Sequence, residues 1–338
     1  MARPVVAVTS LGGTITMTPA DRPDGLIPSL TAAQLLRSVP SLSLTAEVRT
    51  ETLFTKPGAS LTFADVLLAQ KHARQAVAAG AAGVVLVQGT DTLEESSYLL
   101  DLFWNLPEPL ILTGAMRSPA YPGADGPANL HASVVTAVTP DSREQGVLVA
   151  LNDEVHAAAR VRKCDSTAPN AFSSAPFGPL ARIHEGNVVY GNRLRRPPAL
   201  PRIERRHNPR VALLETFLGD EGELLKLVIE AQYDGIVIAA FGAGHVSAAM
   251  ATMVSKASGQ VPVVLASRTG AGSLLAETYG FPGSERDLLR RGAISAGWLD
   301  PRKARVLLWS QLALGHSIEQ IRVDFGFRAG TRVPSRRN

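Results

Sequence analysis

Short runs of branched apolar residues recur along the chain, each closing on small or polar residues: Val5 to Val8, Val84 to Val87, Leu110 to Leu112, Val147 to Leu151, Val211 to Leu214, Ile236 to Ala240 and Val261 to Leu265. The runs are continuous rather than alternating, which predicts strands buried on both faces of a sheet. Helical stretches separate most of them, such as Thr62 to Ala79, opened by a capping threonine, and Thr92 to Leu102. Strand and helix in alternation predict βαβ units, and so an α/β fold with a doubly wound parallel sheet. Ligands of such sheets bind beyond the carboxyl ends of the strands, so chemistry is sought in the loops that follow each strand.

The pattern breaks from Arg193 to Pro209, where Pro197, Pro198, Pro201 and Pro209 bar a regular helix or a central strand. This stretch predicts a division into an N-terminal α/β domain over 1–195, a linker over 196–209 and a smaller α/β C-terminal domain over 210–338. A length of 338 residues suits two cores, and 45% apolar residues exclude a disordered or fibrous chain. The first strand begins almost at once, with no charged leader and apolar stretch before it, which argues against a signal peptide. No apolar run approaches the roughly 20 residues of a membrane helix. The single cysteine, Cys164, cannot close an intramolecular disulfide and reads as a small apolar filler, so a cytoplasmic protein is expected. The net charge of +4 arises largely from Arg193 to His207 and from the tail Arg328 to Arg336. Both are broken by Pro or Gly and read as a solvated linker and tail rather than a nucleic-acid surface.

Two strand ends carry candidate chemistry. The first strand closes in Thr9-Ser-Leu-Gly-Gly-Thr-Ile15, where paired glycines let the backbone turn tightly and approach a ligand, with Thr14 at the mouth of the sheet. The strand Val84-Val-Leu-Val-Gln-Gly-Thr-Asp-Thr-Leu-Glu-Glu95 delivers Thr90, Asp91 and Thr92 to the same edge and then starts a helix. Taken singly, the first is an ordinary Gly-rich turn, and the second is a helix start capped by Thr90 or Thr92 with Glu94 or Glu95 near its positive end. Together they supply two hydroxyls beside glycine turns and a carboxylate, the materials of nucleophilic catalysis.

Leu11-Gly-Gly-Thr-Ile15 and Gln88-Gly-Thr-Asp-Thr92 resemble the two signature motifs of the bacterial-type L-asparaginases. The resemblance extends through Thr113-Gly-Ala-Met-Arg117, Ala124-Asp-Gly-Pro-Ala-Asn129, Gly146 to Asp153, Phe177-Gly-Pro-Leu180, Tyr233-Asp-Gly-Ile236 and Pro301 to Leu308. It implies hydrolysis of L-asparagine to L-aspartate and ammonia by double displacement, with a threonine hydroxyl forming an acyl-enzyme that water then cleaves. Thr14 matches the family's nucleophile, and Thr90, Asp91 and Lys163 match its second cluster, which is similar to a Ser-His-Asp triad with lysine replacing histidine. Without the resemblance, Lys163 would read as part of a solvated basic edge. Gly13, Gly58, Ala59, Ser60, Gly89 and Ala115 match substrate-binding positions. The resemblance also implies that His245 and Glu277 of the C-terminal domain complete a neighbouring subunit's site, and hence a homo-oligomer, a dimer of dimers or homotetramer. Read without it, His245 is a helix-capping histidine and Glu277 a surface glutamate. No cofactor and no metal are called for, and the seven histidines lack metal-ligand spacing.

The chain departs from the family in two places. The loop Thr16 to Leu30 lacks the tyrosine that closes over substrate, with Gly25 and Leu26 at the aligned positions. A substrate-binding serine aligns with Gly58, although Ser60 lies two residues on. With no lid phenol, the nucleophile's proton has two routes: Lys163 through Thr90 or a water, and Tyr279. Three rival readings stand. One is a larger or different amide substrate, such as glutamine, D-asparagine or a glutaminyl group on tRNA. Another is a non-catalytic amino-acid-binding relative. The third is a dinucleotide site at Gly242-Ala-Gly-His-Val-Ser247, which lacks the third glycine and the ribose-binding acid.

Overall fold

A computed structural model of the chain describes residues 2–19, 25–204 and 208–330 and forms two compact units dividing at Leu200 and Pro201. The tip of the Thr16 to Leu30 loop, part of the basic linker and most of the basic tail lie outside the described residues.

The first unit runs through β1 (Val5–Ser10), a hairpin of β2 (Met17–Pro19) and β3 (Leu26–Pro28), α1 (Ala32–Arg37), α2 (Leu42–Thr45) and β4 (Glu47–Thr52). It continues through α3 (Phe63–Ala78), β5 (Gly83–Val87), α4 (Leu93–Phe103), β6 (Leu110–Thr113), α5 (Gly126–Val138) and β7 (Val147–Leu151). It closes on β8 (Glu154–Ala157), β9 (Arg162–Lys163), β10 (Phe172–Ser173), β11 (Ala181–His184) and β12 (Asn187–Tyr190). The sheet order is β12-β11-β8-β7-β6-β5-β1-β4. Every residue of β5, β6 and β7 is buried, as continuous apolar runs require. Val6, Val8, Val85 and Val87 pack on Leu130 and Val134 of α5 and Leu35 of α1. Thr62 caps α3 as read from the sequence, in a reciprocal box with Asp65.

The sheet is parallel only from β4 to β7. Across β7, β8, β11 and β12 it is antiparallel, which the expectation of a parallel sheet did not include. The cause is local. Asn152 and Asp153 both take positive φ, 51° and 57°, and so turn the chain straight back in a two-residue hairpin. These added strands have mixed apolar and polar residues and lack the long apolar runs of β5 to β7. His156 of β8 is buried, with Nδ1 2.9 Å from Ser174 Oγ. Burial, helped by the charge of Arg182, pushes its pKa down to about 4. The ring is therefore neutral at pH 7, and its 3.4 Å approach to Glu154 is not an ion pair.

The start of the Pro-rich stretch is strapped to the first unit rather than freely solvated. Arg196 donates to Asp101 Oδ1 at 2.7 Å and to Trp104 O at 3.1 Å, and Leu200 N donates to Leu102 O at 2.6 Å. Arg193 pairs with Asp141 at 2.6 Å. Two of the stretch's basic residues are thus paired with acids of the first unit. Cys164 is exposed, not a buried filler, and directly follows the two-residue strand β9.

The second unit comprises β13 (Val211–Glu215), α6 (Glu223–Glu230), β14 (Gly235–Ala240), α7 (Ala248–Ser258), β15 (Val263–Ser267), α8 (Glu285–Arg290), β16 (Ile294–Ser295), α9 (Pro301–Ala313) and α10 (Ile318–Arg328). Its four strands are all parallel, in chain order. The strand expected from Val261 starts at Val263, since Pro262 has no N–H to give the ladder. Ile236, Ile238 and Leu265 form the core with Met250, Val254 and Leu288. Asp300 caps α9 and holds the fully buried Lys303, with Nζ at 3.1 Å. Among the described residues no helix is long and apolar enough to cross a membrane.

Candidate active site

The carboxyl edge of the first unit is built by glycines that let three strand ends touch. A Cβ on Gly13 would lie 2.1 Å from Gly89 N, one on Gly89 would lie 2.7 Å from Gly58 N, and one on Gly114 would lie 2.5 Å from Gln88 O. No side chain larger than hydrogen fits at these points, so the ends of β1, β5 and β6 and the turn at Gly58 meet backbone to backbone. Gly13 also sits at φ 92°, ψ −179°, a conformation essentially reserved to glycine. Thr14 and Thr90 follow Gly13 and Gly89 directly, and are carried to the same edge by that contact.

Thr14 opens a single 3-10 turn, Thr14–Thr16, and is half-buried. Thr16 fastens the turn by donating its N–H and its hydroxyl to Gly13 O, at 2.9 and 2.7 Å. Thr90 is buried, and Lys163 Nζ donates to its Oγ1 at 3.0 Å and to Asp91 Oδ1 at 3.2 Å. The Lys163 side chain is 17% exposed and that of Asp91 61%. Lys163 is thus an inward-reaching ammonium with two partners, not a solvated basic edge. Neither threonine caps α4 with its side chain. Thr92 instead donates to Gly58 O at 2.9 Å, tying the Thr90 turn to the turn Gly58–Ser60. Gly58 is buried there, while Ala59 and Ser60 are exposed.

Ala115 is buried in a loop that Asp125 and Asn129 organise. Asp125 accepts from Met116 N and Arg117 N at 3.0 and 2.9 Å, and Asn129 bridges Gly114 O to Asn152 N. Both residues lie in the Ala124 to Asn129 motif, so a signal for them existed in the sequence. The loop after Thr14 is the β2–β3 hairpin, closed by Thr18 against Ser29 at 2.6 Å and anchored by Ser118 to Met17 O at 2.8 Å. Leu26 is half-buried and Ile27 is exposed.

The other predicted residues lie in the second unit, at its own sheet edge. His245 does not cap a helix, for Ser247 caps α7. His245 Nε2 lies 3.1 Å from Glu285 Oε2, and its ring meets the edges of Tyr279 and Phe281 at centroid distances of 4.8 and 5.0 Å. Glu277 is exposed. The sequence reading missed Glu285, a fully buried carboxylate that also accepts from Thr278 N at 3.0 Å and Tyr279 N at 2.8 Å. Burial alone would raise its pKa, but the N–H donors of Tyr279, Glu285 and Thr278 and the His245 contact together hold it below the usual glutamate value. The capping role of Ser247, whose side chain accepts from Met250 N and donates to Asp220 O, leaves no third glycine for a dinucleotide turn. Among the described residues no three His, Cys, Asp or Glu side chains cluster as metal ligands do.

Comparison with known proteins finds two family profiles. One, described as asparaginase, N-terminal, matches residues 5–196, and one described as glutaminase/asparaginase C-terminal domain matches residues 210–325. A probable periplasmic L-asparaginase of Haemophilus influenzae is 34% identical over 92% of this chain and 88% of its own length. A glutamyl-tRNA(Gln) amidotransferase component of Aeropyrum pernix is 31% identical over 95% of this chain and 77% of its own. The crystal structure of a probable cytoplasmic L-asparaginase from Campylobacter jejuni superposes with a TM-score of 0.86 at 30% identity, covering 96% of this chain and 99% of that one.

Proposed function

The chain belongs to the asparaginase family of amidohydrolases, and from that premise we propose that it hydrolyses L-asparagine to L-aspartate and ammonia through an acyl-enzyme on Thr14. The observation that carries the reading is Lys163 Nζ within hydrogen-bond reach of both Thr90 Oγ1 and Asp91 Oδ1. Thr14 Oγ1 attacks the amide carbon, the C–N bond breaks, and the departing nitrogen takes a proton to leave as ammonia. Water then opens the ester and restores the hydroxyl. Thr90, oriented by Lys163, passes protons, while Asp91 holds the lysine in register. Gly13, Gly58, Ala59, Ser60, Gly89 and Ala115 line the substrate site, where backbone N–H groups stabilise the oxyanion.

The alternative substrates are glutamine, D-asparagine and a larger amide, the last in keeping with the amidotransferase relative. We assign His245 and Glu277 to the site of a neighbouring subunit, with Tyr279 as a second proton route, in a homo-oligomer built as a dimer of dimers. A cytoplasmic location accords with the Campylobacter neighbour, although the Haemophilus relative is named periplasmic.

The deciding experiment measures ammonia release by purified protein from L-asparagine, L-glutamine, D-asparagine and glutaminyl-tRNA, with Thr14→Ala alongside. Asparagine should dominate and Thr14→Ala should abolish turnover while the fold persists. No release from any of the four would favour a binding protein, and an active Thr14→Ala would remove the nucleophile from its role. Mixing inactive Thr14→Ala with inactive Glu277→Ala subunits should restore part of the activity if sites are shared.

A further inference from the structure

Lys163 stands on a weak support. β9 is two residues long and, among the described residues, pairs only with β10, through Lys163 opposite Phe172 and Arg162 opposite Ser173, outside the main sheet. One further backbone bond, Cys164 N to Ala171 O at 2.7 Å, extends that ladder. A two-stranded ribbon of this size has little stability of its own in water. Yet its lysine must reach two partners on a different element, Thr90 at 3.0 Å and Asp91 at 3.2 Å.

Glu94 supplies the missing tether. It lies in the first turn of α4, four residues after Thr90, and is 3% exposed. Its Oε2 accepts the backbone N–H of Lys163 at 2.6 Å, across a separation of 69 residues. Lys163 is therefore gripped at both ends by one short segment, its main chain by Glu94 and its ammonium by Thr90 and Asp91. The place of Glu94 in the first turn of α4 also sets the carboxyl group at the positive end of that helix.

We propose that Glu94 is a positioning residue which fixes the Lys163 backbone so that its Nζ bridges Thr90 and Asp91. The inference rests on the proposed roles of Thr90 and Lys163. The reach of the carboxyl oxygen carries the effect, since the Lys163 N–H needs an acceptor at that place. Glu94→Gln keeps that oxygen and that length, whereas Glu94→Asp keeps the charge but withdraws the oxygen by one methylene.

The test compares kcat and KM for amide hydrolysis in Glu94→Gln, Glu94→Asp and Glu94→Ala, with Lys163→Met alone and combined with Glu94→Asp. Glu94→Gln should retain kcat within about threefold, and Glu94→Asp should lose about 30- to 100-fold in kcat with little change in KM, the cost of a misplaced catalytic group. Glu94→Asp added to Lys163→Met should cost nothing more. Should Glu94→Ala not fold, the Gln and Asp variants decide the matter alone. An inactive Glu94→Gln beside an active Glu94→Asp would overturn the proposal, as would losses that add to those of Lys163→Met. If Lys163→Met and Thr90→Ala are themselves fully active, it is the functional reading of the cluster that fails.

Discussion

Both units end parallel strands in glycine-rich turns, and they use the glycines differently. In the first unit Gly13, Gly58 and Gly89 are spacers of zero thickness, since a Cβ on any of them would fall within 3 Å of another's backbone. In the second unit Gly242 has open space around it, and a Cβ on Gly244 would meet only side chains, those of Leu274 and Glu285. The gap between its loops is filled by His245, Tyr279, Phe281 and the buried Glu285. The first edge is therefore defined by main chain in contact, whereas the second adds bridging side chains to one such contact, at Gly283, where a Cβ would lie 2.4 Å from Val246 O. Main-chain contact fixes Thr14 and Thr90 without depending on rotamers, as suits groups that must meet a reacting carbon.

The sharpest way to break this contrast is Gly13→Ala. The new methyl would have to displace Gly89 and also occupy a glycine-only conformation, so a loss on the order of 4 kcal/mol is expected from overpacking and backbone strain together. Turnover should vanish with it. Denaturant unfolding checks this, and a Gly13→Ala protein of wild-type stability would show that the strand ends are not in contact.

Acid separates the units next. His156 of the first unit is held neutral with a folded pKa of about 4, against 6.5 when unfolded. The unfolded chain binds the extra proton between these values, so its contribution is intact above about pH 6.5 and is lost as pH falls toward 4. At about 1.4 kcal/mol for each tenfold difference in proton affinity, this amounts to about 3 kcal/mol. In the second unit Glu285, Asp287 and Asp300 are lowered from 4.5, 3.8 and 3.8, so their contributions hold above those values and fade only below them. Hydrogen exchange at pH 7 and pH 4.5 should loosen the first unit first, and equal loosening of both would count against the buried neutral histidine.

The same contrast explains what was legible in the sequence. Continuous apolar runs mark β5, β6, β7, β14 and β15 because burial on both faces demands them. Strands of mixed composition such as β8, β11 and β12 were invisible as sheet extensions, since their place depends on turns at Asn152-Asp153 and Glu185-Gly186. Gly-Gly-Thr and Gly-Thr-Asp stand out because glycine is the chemical signature of main chain in contact. Glu94 and Glu285 do not stand out, since each looks like an ordinary acid in a helix's first turn, and its partner lies far along the chain or in an irregular loop. Cys164 was misjudged for a related reason, because it directly follows a ribbon strand that two residues of sequence cannot announce.

If the second edge is held by a bridging carboxylate, Glu285→Ala should leave Thr278 N and Tyr279 N without their acceptor. A cost of about 2 kcal/mol is expected, moderated by water entering beside the exposed Tyr279. Glu285→Gln, which can still accept from one side, should cost less. The check is thermal unfolding together with hydrogen exchange at Thr278 and Tyr279. Unchanged protection there in Glu285→Ala would mean that the loop is held by something else.

The smallest effect is the most discriminating, because it repeats the first substitution where only one of its two penalties applies. Gly242 has φ 46°, in the left-handed region, and nothing within 4 Å of where its Cβ would be. Gly242→Ala therefore meets the conformational penalty without the collision, and should cost about 1 kcal/mol, the usual penalty of a left-handed L-residue. Ser267, whose hydroxyl donates to Gly242 O at 2.6 Å, should keep the turn in place. The difference between Gly13→Ala and Gly242→Ala then measures close approach together with the greater strain of the extended, positive-φ conformation of Gly13. Two equal losses would mean that positive φ alone accounts for both glycines, and that the first edge owes nothing to the meeting of its strand ends.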